Sequence, residues 1–222
     1  MKAVIFDLDG VICFTDKLHY KAWKTVADEQ GIYFDEKIND RLRGVSRMAS
    51  LDIILEKAGR TYSAIEKEKI AEEKNNIYVS LLDTMSEKDL DVSVKNALDT
   101  LRSRGTLLAI GSSSKNTKKI LEKLGLKDYF DAVSDGTNIT KSKPDPEVFL
   151  KAAEMLGVEP SDAIVVEDAL SGIDAALAGG FKCIGIGEAS THPQVTYPIK
   201  DMTELPDVVL CDMACLSGLS EI

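Results

Sequence analysis

Histidines and paired cysteines are scarce in this chain. There are two histidines and four cysteines (Cys13, Cys183, Cys211 and Cys215), and no two cysteines form a C-x-x-C pair, so a zinc site is not expected. Cys211 and Cys215 are spaced to share a helix face and are read as packing residues of a reducing compartment. No run approaches the ~18 apolar residues of a membrane span, and the first apolar run is too short and too quickly acidic for a secretory signal. Cations are also in deficit: 27 Lys and Arg stand against 37 Asp and Glu, a net charge of −10. That balance argues against a nucleic-acid partner, and any anionic substrate would need locally placed cations. Repeats and low-complexity segments are absent. What remains is a 222-residue chain with 44% apolar residues, enough for one large domain or two small ones. The expectation is a soluble cytoplasmic monomer that engages neither nucleic acid nor membrane.

The apolar run Lys2-Ala3-Val4-Ile5-Phe6 stops at Asp7-Leu8-Asp9-Gly10. A short apolar run bounded by turn residues reads as a buried strand. Two carboxylates at its end are costly unless paired, hydrogen-bonded or metal-bound. From Thr15 to about Lys88 the pattern is helical, with helices expected over His19–Gln30, Glu36–Leu42, Ser46–Lys57 and Ser63–Leu82. From about Leu90, helices alternate with strands. Strands are expected at Thr106–Ile110, Ala132–Val133, Ala163–Val166, Lys182–Ile186 and Val208–Leu210. Helices are expected at Val94–Arg104, Asn116–Leu124, Pro146–Leu156 and Ser171–Ala178. This alternation predicts an α/β fold, a doubly wound parallel sheet. The all-helical block then reads as an insertion over the sheet's active edge. The division is residues 1–14 plus 90–222 as core and 15–89 as helical cap.

Three strands end in chemically capable residues: Asp7 and Asp9, then Ser112, then Glu167 and Asp168. Ligands of such sheets bind beyond the strands' carboxyl ends. Four converging acids are tolerable around a hard cation such as Mg²⁺, which prefers oxygen ligands; acids ahead of Ser171-Gly172-Ile173 would also suit a helix N-terminus. Ser112-Ser113-Ser114-Lys115-Asn116 closes a strand and opens a helix, which suits either a phosphate seat or ordinary capping. Lys143, on the proline-stiffened loop Thr140-Lys141-Ser142-Lys143-Pro144-Asp145-Pro146, is placed to neutralise a phosphoryl group or to stand in solvent. Phosphoryl transfer uses all four parts together: a carboxylate attacks in line, a cation and a lysine spread charge, and a second acid moves the proton.

With Asp7-Leu8-Asp9-Gly10, Ser112, Ser142-Lys143-Pro144-Asp145-Pro146 and Glu167-Asp168 in that order, followed by Gly172-Ile173 and Ala175-Ala176, the chain resembles the haloacid dehalogenase superfamily over nearly its whole length. The resemblance implies Asp7 as nucleophile, Asp9 as acid/base, and Ser112 and Lys143 on the transferring phosphate. It implies one Mg²⁺ per chain held by Asp7, the backbone carbonyl of Asp9 and Asp168, with Glu167 close by or through water.

Leu42-Arg43-Gly44-Val45-Ser46-Arg47 with Ser50-Leu51, Thr15 with His19-Tyr20-Lys21-Ala22-Trp23, Lys74-Asn75 with Tyr78, and Ser114-Lys115-Asn116 are similar to the β-phosphoglucomutase subfamily. That similarity implies an isomerase of carbohydrate metabolism working on β-glucose 1-phosphate, with β-glucose 1,6-bisphosphate as activator and intermediate. A second phosphate would sit on Arg47, Ser114, Lys115 and Asn116, where arginine grips oxyanions bidentately. Thr15, His19, Trp23, Leu42, Ser50 and Lys74 complete the expected substrate site, with Trp23 also suited to the core and His19 to a gate on Asp9. The chain departs from its relatives at Cys13-Phe14 and at Asp91-Val92-Ser93-Val94, both near the expected hinge. The alternatives are a sugar-phosphate phosphatase of the same superfamily, or a mutase for another sugar. A catalytically idle binding protein would not need the intact Asp7, Asp9, Lys143 and Asp168.

Overall fold

The computed structural model describes residues 2–42 and 45–216, with side chains as far as Asp212. Arg43, Gly44 and the Cys215 side chain, which entered the sequence reading, lie outside the described residues. Six strands form one parallel sheet in the order β3-β2-β1-β4-β5-β6. They are β1 (Ala3–Phe6), β2 (Leu107–Gly111), β3 (Ala132–Ser134), β4 (Ala163–Glu167), β5 (Lys182–Gly185) and β6 (Tyr197–Pro198). The helices are α1 (Asp16–Glu29), α2 (Glu36–Asp40), α3 (Arg47–Leu55), α4 (Ala64–Leu82), α5 (Val92–Ser103), α6 (Thr117–Lys123), α7 (Glu147–Leu156), α8 (Leu170–Ala178) and α9 (Leu205–Leu216).

The strands are apolar along most of their length because both faces of the sheet are covered. Val4, Phe6, Leu108, Ile110, Ile164 and Val166 point to one side, onto Leu98 and Leu101 of α5, Ile120 of α6 and Leu205 and Val209 of α9. Ala3, Ile5, Ala109, Ala163 and Val165 point to the other, onto Val148 and Phe149 of α7 and Ile173 and Ala176 of α8. The chain builds outward from β1 through β2 to β3. It then crosses back and builds outward again from β4 to β6. The reversal falls between β1 and β4, the place where such sheets open a crevice.

Helices α1 to α4 are inserted between β1 and β2 and bury a separate cluster that includes Trp23, Phe34, Ile38, Leu51, Ile54 and Ile70. Ala22 of α1 and Tyr78 and Leu82 of α4 join the sheet's own core, so these two helices carry the insert. Helix α4 starts with a capping box: the Ser63 hydroxyl accepts from the Glu66 N–H, and the Glu66 carboxylate accepts from the Ser63 N–H. At the return to the sheet, Asp91 caps α5 by accepting from the Ser93 N–H at 2.7 Å, so the departure at Asp91-Val92-Ser93 is itself a helix start.

Two sequence expectations are overturned here. Val208–Leu210, read as a strand, belongs to α9: Leu205, Val209 and Asp212 are buried at helical spacing. The last strand is instead the two-residue β6, which the Pro198 ring hides from a pattern search. Cys211, read as a packing residue, is exposed on α9. Among the described residues no helix is long and apolar enough to cross a membrane.

Leu98 is fully buried under the sheet, whereas Val92 on the same helix is 72% exposed. Leu98→Ala is expected to lower unfolding free energy by about 2–5 kcal/mol and Val92→Ala by less than about 0.5 kcal/mol, both read from urea denaturation.

Candidate active site

Strand β1 delivers Asp7 to the carboxyl edge, with its N–H on the Val166 carbonyl at 2.9 Å. Leu8 turns into the core, so the strand's alternation leaves Asp7 and Asp9 on the same side. Gly10 then reverses the chain with φ of 87°, and a Cβ there would lie 2.0 Å from an Asp168 carboxylate oxygen. Only glycine meets both demands.

Strand β4 delivers Glu167, which is 1% exposed. One of its oxygens accepts from the N–H groups of Asp168 and Ala169, each at 2.9 Å. The other accepts from Lys143, whose ammonium also donates to Asp7. A Cβ on Gly172 would fall 1.9 Å from this carboxylate, so the Gly172-Ile173 motif reserves its space. Lys143 is buried between the two acids and lies 4.6 Å over the Phe149 ring. Burial works against its charge, but Asp7 and Glu167 outweigh it and hold the lysine protonated.

One ammonium does not balance these acids. Burial pushes the Asp7 carboxyl well up, with Lys143 pulling against it and Glu167 adding to it. Burial and the Glu167 charge push Asp168 up to about 7. Asp168 accepts no side-chain hydrogen bond from any described residue. Asp9 is raised by burial, while the Thr15 hydroxyl, which donates to it, pulls the other way. Tyr78 donates in turn to Thr15 at 3.0 Å. Among the described residues no three His, Cys, Asp or Glu side chains stand at metal-holding spacing. The reason is local: Glu167 is committed to Lys143 and two N–H groups, and Asp9 to Thr15. The surplus of buried negative charge nonetheless fits a hard cation at Asp7 and Asp168.

These acids line a cavity of about 560 Å³. Ser112, buried at the end of β2, and Lys143 line it as well, and Ser112 accepts from the Ser114 N–H at 3.2 Å. Arg47, Ser114, Lys115 and Asn116 line the same cavity. Arg47 opens α3 behind the Ser46 cap and donates to the Asn75 amide at 2.8 Å. Its half-buried guanidinium has no carboxylate partner among the described residues. In a chain of net charge −10, an unpaired inward-facing arginine marks a place for an anion.

His19, Trp23, Leu42, Ser50 and Lys74 are all on the same cavity wall. Lys74 is 3% exposed rather than solvated. Its ammonium donates to His19 Nδ1 at 2.8 Å and sits 4.9 Å over Trp23 and 4.7 Å over Tyr78. Burial and then Arg47 push Lys74 down to about 7. Burial and the Lys74 charge hold His19 well below its ordinary value, as a neutral acceptor requires. Thr15 alone of the expected substrate residues is off the wall, buried beneath Asp9. A second, external groove holds Lys118, Lys119, Lys123 and Lys127, but Asp83 and Glu122 pair with three of them.

The family model for haloacid dehalogenase-like hydrolases matches residues 1–180. A β-phosphoglucomutase of Bacillus subtilis is 42% identical over 207 residues, covering 92% of each chain. A crystal structure of β-phosphoglucomutase from Clostridium difficile superposes with a TM-score of 0.88 at 37% identity, covering 99% of each chain. The chain belongs to the haloacid dehalogenase superfamily, in its β-phosphoglucomutase branch. A phosphorylated-carbohydrates phosphatase of Thermotoga maritima is 34% identical over 188 residues, covering 83% of this chain and 84% of that one. The likeness to the Clostridium difficile structure covers the helical insert as well as the sheet. Members of the superfamily use Mg²⁺, which suits the unbalanced acids at Asp7 and Asp168. Two residues the sequence quoted without a role, Asn75 and Tyr78, prove central to the wiring; their polar partners come from elements far away in the chain.

Lys74 carries a pH signature. Its folded pKa of about 7 lies below its ordinary value, so between about pH 7 and pH 10 the unfolded chain holds more protons than the folded one. Stability therefore rises with pH across that window. Lys74→Met is expected to remove this rise, so the variant's gain in Tm over wild type is larger at pH 7 than at pH 10. Equal gains at both pH values would show Lys74 to be unperturbed.

Proposed function

We propose that this chain is a β-phosphoglucomutase that interconverts β-glucose 1-phosphate and glucose 6-phosphate through a phosphorylated Asp7. The observation that carries the reading is the shared cavity: Asp7 and Lys143 line it together with an Arg47 that has no acidic partner among the described residues. A sugar bearing a phosphate at each end needs both seats; a monoester hydrolase needs only the first. In this reading residues 15–89 form the cap, residues 1–14 and 90–222 the core, and the enzyme works as a monomer.

Phosphorylated Asp7 presents its phosphorus to the 6-hydroxyl of β-glucose 1-phosphate. As the new O–P bond forms and the Asp7 O–P bond breaks, Asp9 takes the hydroxyl proton. The bisphosphate turns round, Asp7 attacks the 1-phosphate, and Asp9 returns the proton to the departing sugar oxygen. Glucose 6-phosphate leaves and Asp7 is phosphorylated again. Lys143, fixed by Glu167, balances charge on the transferring group, and the Ser112 hydroxyl orients one of its oxygens. Asp7, Asp168 and the Asp9 carbonyl would hold Mg²⁺, which would supply positive charge to the transferring phosphoryl group. Arg47, Ser114, Lys115 and Asn116 hold the phosphate that is not reacting.

Water competes with the sugar for phosphorylated Asp7. Asp9 is hydrogen-bonded to Thr15, and Tyr78 from the cap holds Thr15 in place. Cap movement over bound sugar would turn Asp9 from Thr15 toward the sugar hydroxyl. Asp9 is thereby kept from activating water while the cavity is empty.

With Mg²⁺ present, β-glucose 1-phosphate is expected to give glucose 6-phosphate only when β-glucose 1,6-bisphosphate or another phosphoryl donor is added, with little free phosphate. The α-anomer is expected to be a poor substrate. A coupled assay that follows both products decides the matter. Rapid phosphate release from the β-anomer, with no glucose 6-phosphate, would overturn the mutase reading in favour of a sugar-phosphate phosphatase.

A further inference from the structure

We propose that Asn75 is the positioning residue that assembles the far phosphate seat, by holding Arg47 of the insert and Asn116 of the sheet domain on one amide oxygen. The inference rests on the two-phosphate reading above. Asn75 Oδ1 accepts from Arg47 Nη2 at 2.8 Å and from Asn116 Nδ2 at 3.1 Å. Arginine has donors only, so the orientation of the Asn75 amide is fixed: its oxygen must face Arg47. That oxygen then requires the NH₂ group of Asn116, which sets the orientation of the second amide too. Both lone pairs of one oxygen are used, by donors from two separate parts of the chain.

Asn75 is also one end of a longer seam. Asn75 and Val79 on α4 and Asp83 at its C-cap lie four residues apart along one stripe. Facing them are Asn116, Lys119 and Lys123, at the start of α6 and along it. Lys119 donates to the Val79 carbonyl at 3.0 Å, and Lys119 and Lys123 each reach Asp83 at 3.0 Å. The seam ties α4 to the sheet domain, and at its inner end Asn75 passes that fixed position on to Arg47 on α3. Arg47 has no carboxylate among the described residues to locate it, so Asn75 is what aims the guanidinium at the cavity. A fixed donor pair loses less freedom when an oxyanion arrives than two loose ones. Asn75 therefore acts on the affinity for the far phosphate through Arg47 and Asn116, and leaves the bond-breaking end to Asp7 and Lys143.

A double-mutant cycle read by calorimetric binding of glucose 6-phosphate, with Mg²⁺ present, tests this directly. Asn75→Ala is expected to weaken binding about tenfold in the wild-type background and less than about twofold in an Arg47→Ala background, because the arginine it aims is gone. Asn75→Asp keeps an acceptor for both donors, and so guards against misfolding, but adds negative charge at the seat; it is expected to weaken binding more than alanine does. In turnover, the loss from Asn75→Ala should appear in KM rather than kcat. Equal losses in both backgrounds, or no loss in either, would each overturn the proposal. A wild-type protein that binds glucose 6-phosphate but makes none from the β-anomer would sink the mutase reading and leave the Asn75 cycle to be judged on binding alone.

Discussion

A single ammonium stands among buried carboxylates at the end of β1 and β4, and the rest of the molecule is arranged around that imbalance. Lys143 satisfies Asp7 and Glu167 together. Removing a charge from water costs several kcal/mol per ion even after relaxation, so such a cluster persists only where a rigid frame enforces it. The frame is the parallel sheet. Alternation along β1 sets Asp7 and Asp9 on one side, two N–H groups after β4 fix Glu167, and the bare Cα atoms of Gly10 and Gly172 leave room for the carboxylates of Asp168 and Glu167. Negative charge left over after Lys143 is counted draws in a cation, and that same concentration of opposite charges suits a transferring phosphoryl group.

The second constraint is the overall charge of the chain. A protein of net charge −10 attracts no phosphate over its general surface, so its cations must be concentrated where one is wanted. Arg47 and Lys115 meet Ser114 and Asn116 at the cavity, and Lys74 lies on the same wall against Trp23 and Tyr78. The insert thus does two things. It contributes the far cation from α3, and through Tyr78 on α4 it holds the Thr15–Asp9 hydrogen bond. In the proposed mechanism, substrate recognition and control of the acid/base group are carried on one small helical unit.

Much of this was legible in the sequence. The buried strands from β1 to β5 announced themselves as short apolar runs ending in turns, and the acids and serine at their ends lie at one edge. The errors have physical reasons. Val208–Leu210 is apolar throughout, and a short apolar run has no period to separate strand from helix; only the buried spacing of Leu205, Val209 and Asp212 identifies α9. Thr15 was expected on the substrate and is instead beneath Asp9, because a residue type does not reveal which side of a hinge it faces. Asn75, in a run of lysines and glutamates, looks like helix surface. Its meaning depends on Arg47, 28 residues away, and Asn116, 41 residues away. Glu167 was grouped with the metal ligands, and its partners in the fold are Lys143 and two backbone N–H groups.

Phosphorylation of Asp7 is the claim on which every other functional statement leans. The direct measurement is to mix the protein with β-glucose 1,6-bisphosphate and Mg²⁺, quench within a turnover, and map the peptides by mass spectrometry after borohydride reduction of acyl phosphates. The account predicts modification of the peptide that carries Asp7, at Asp7 and not at Asp9. Turnover without modification at Asp7, or a phosphoryl group on another residue, would contradict it.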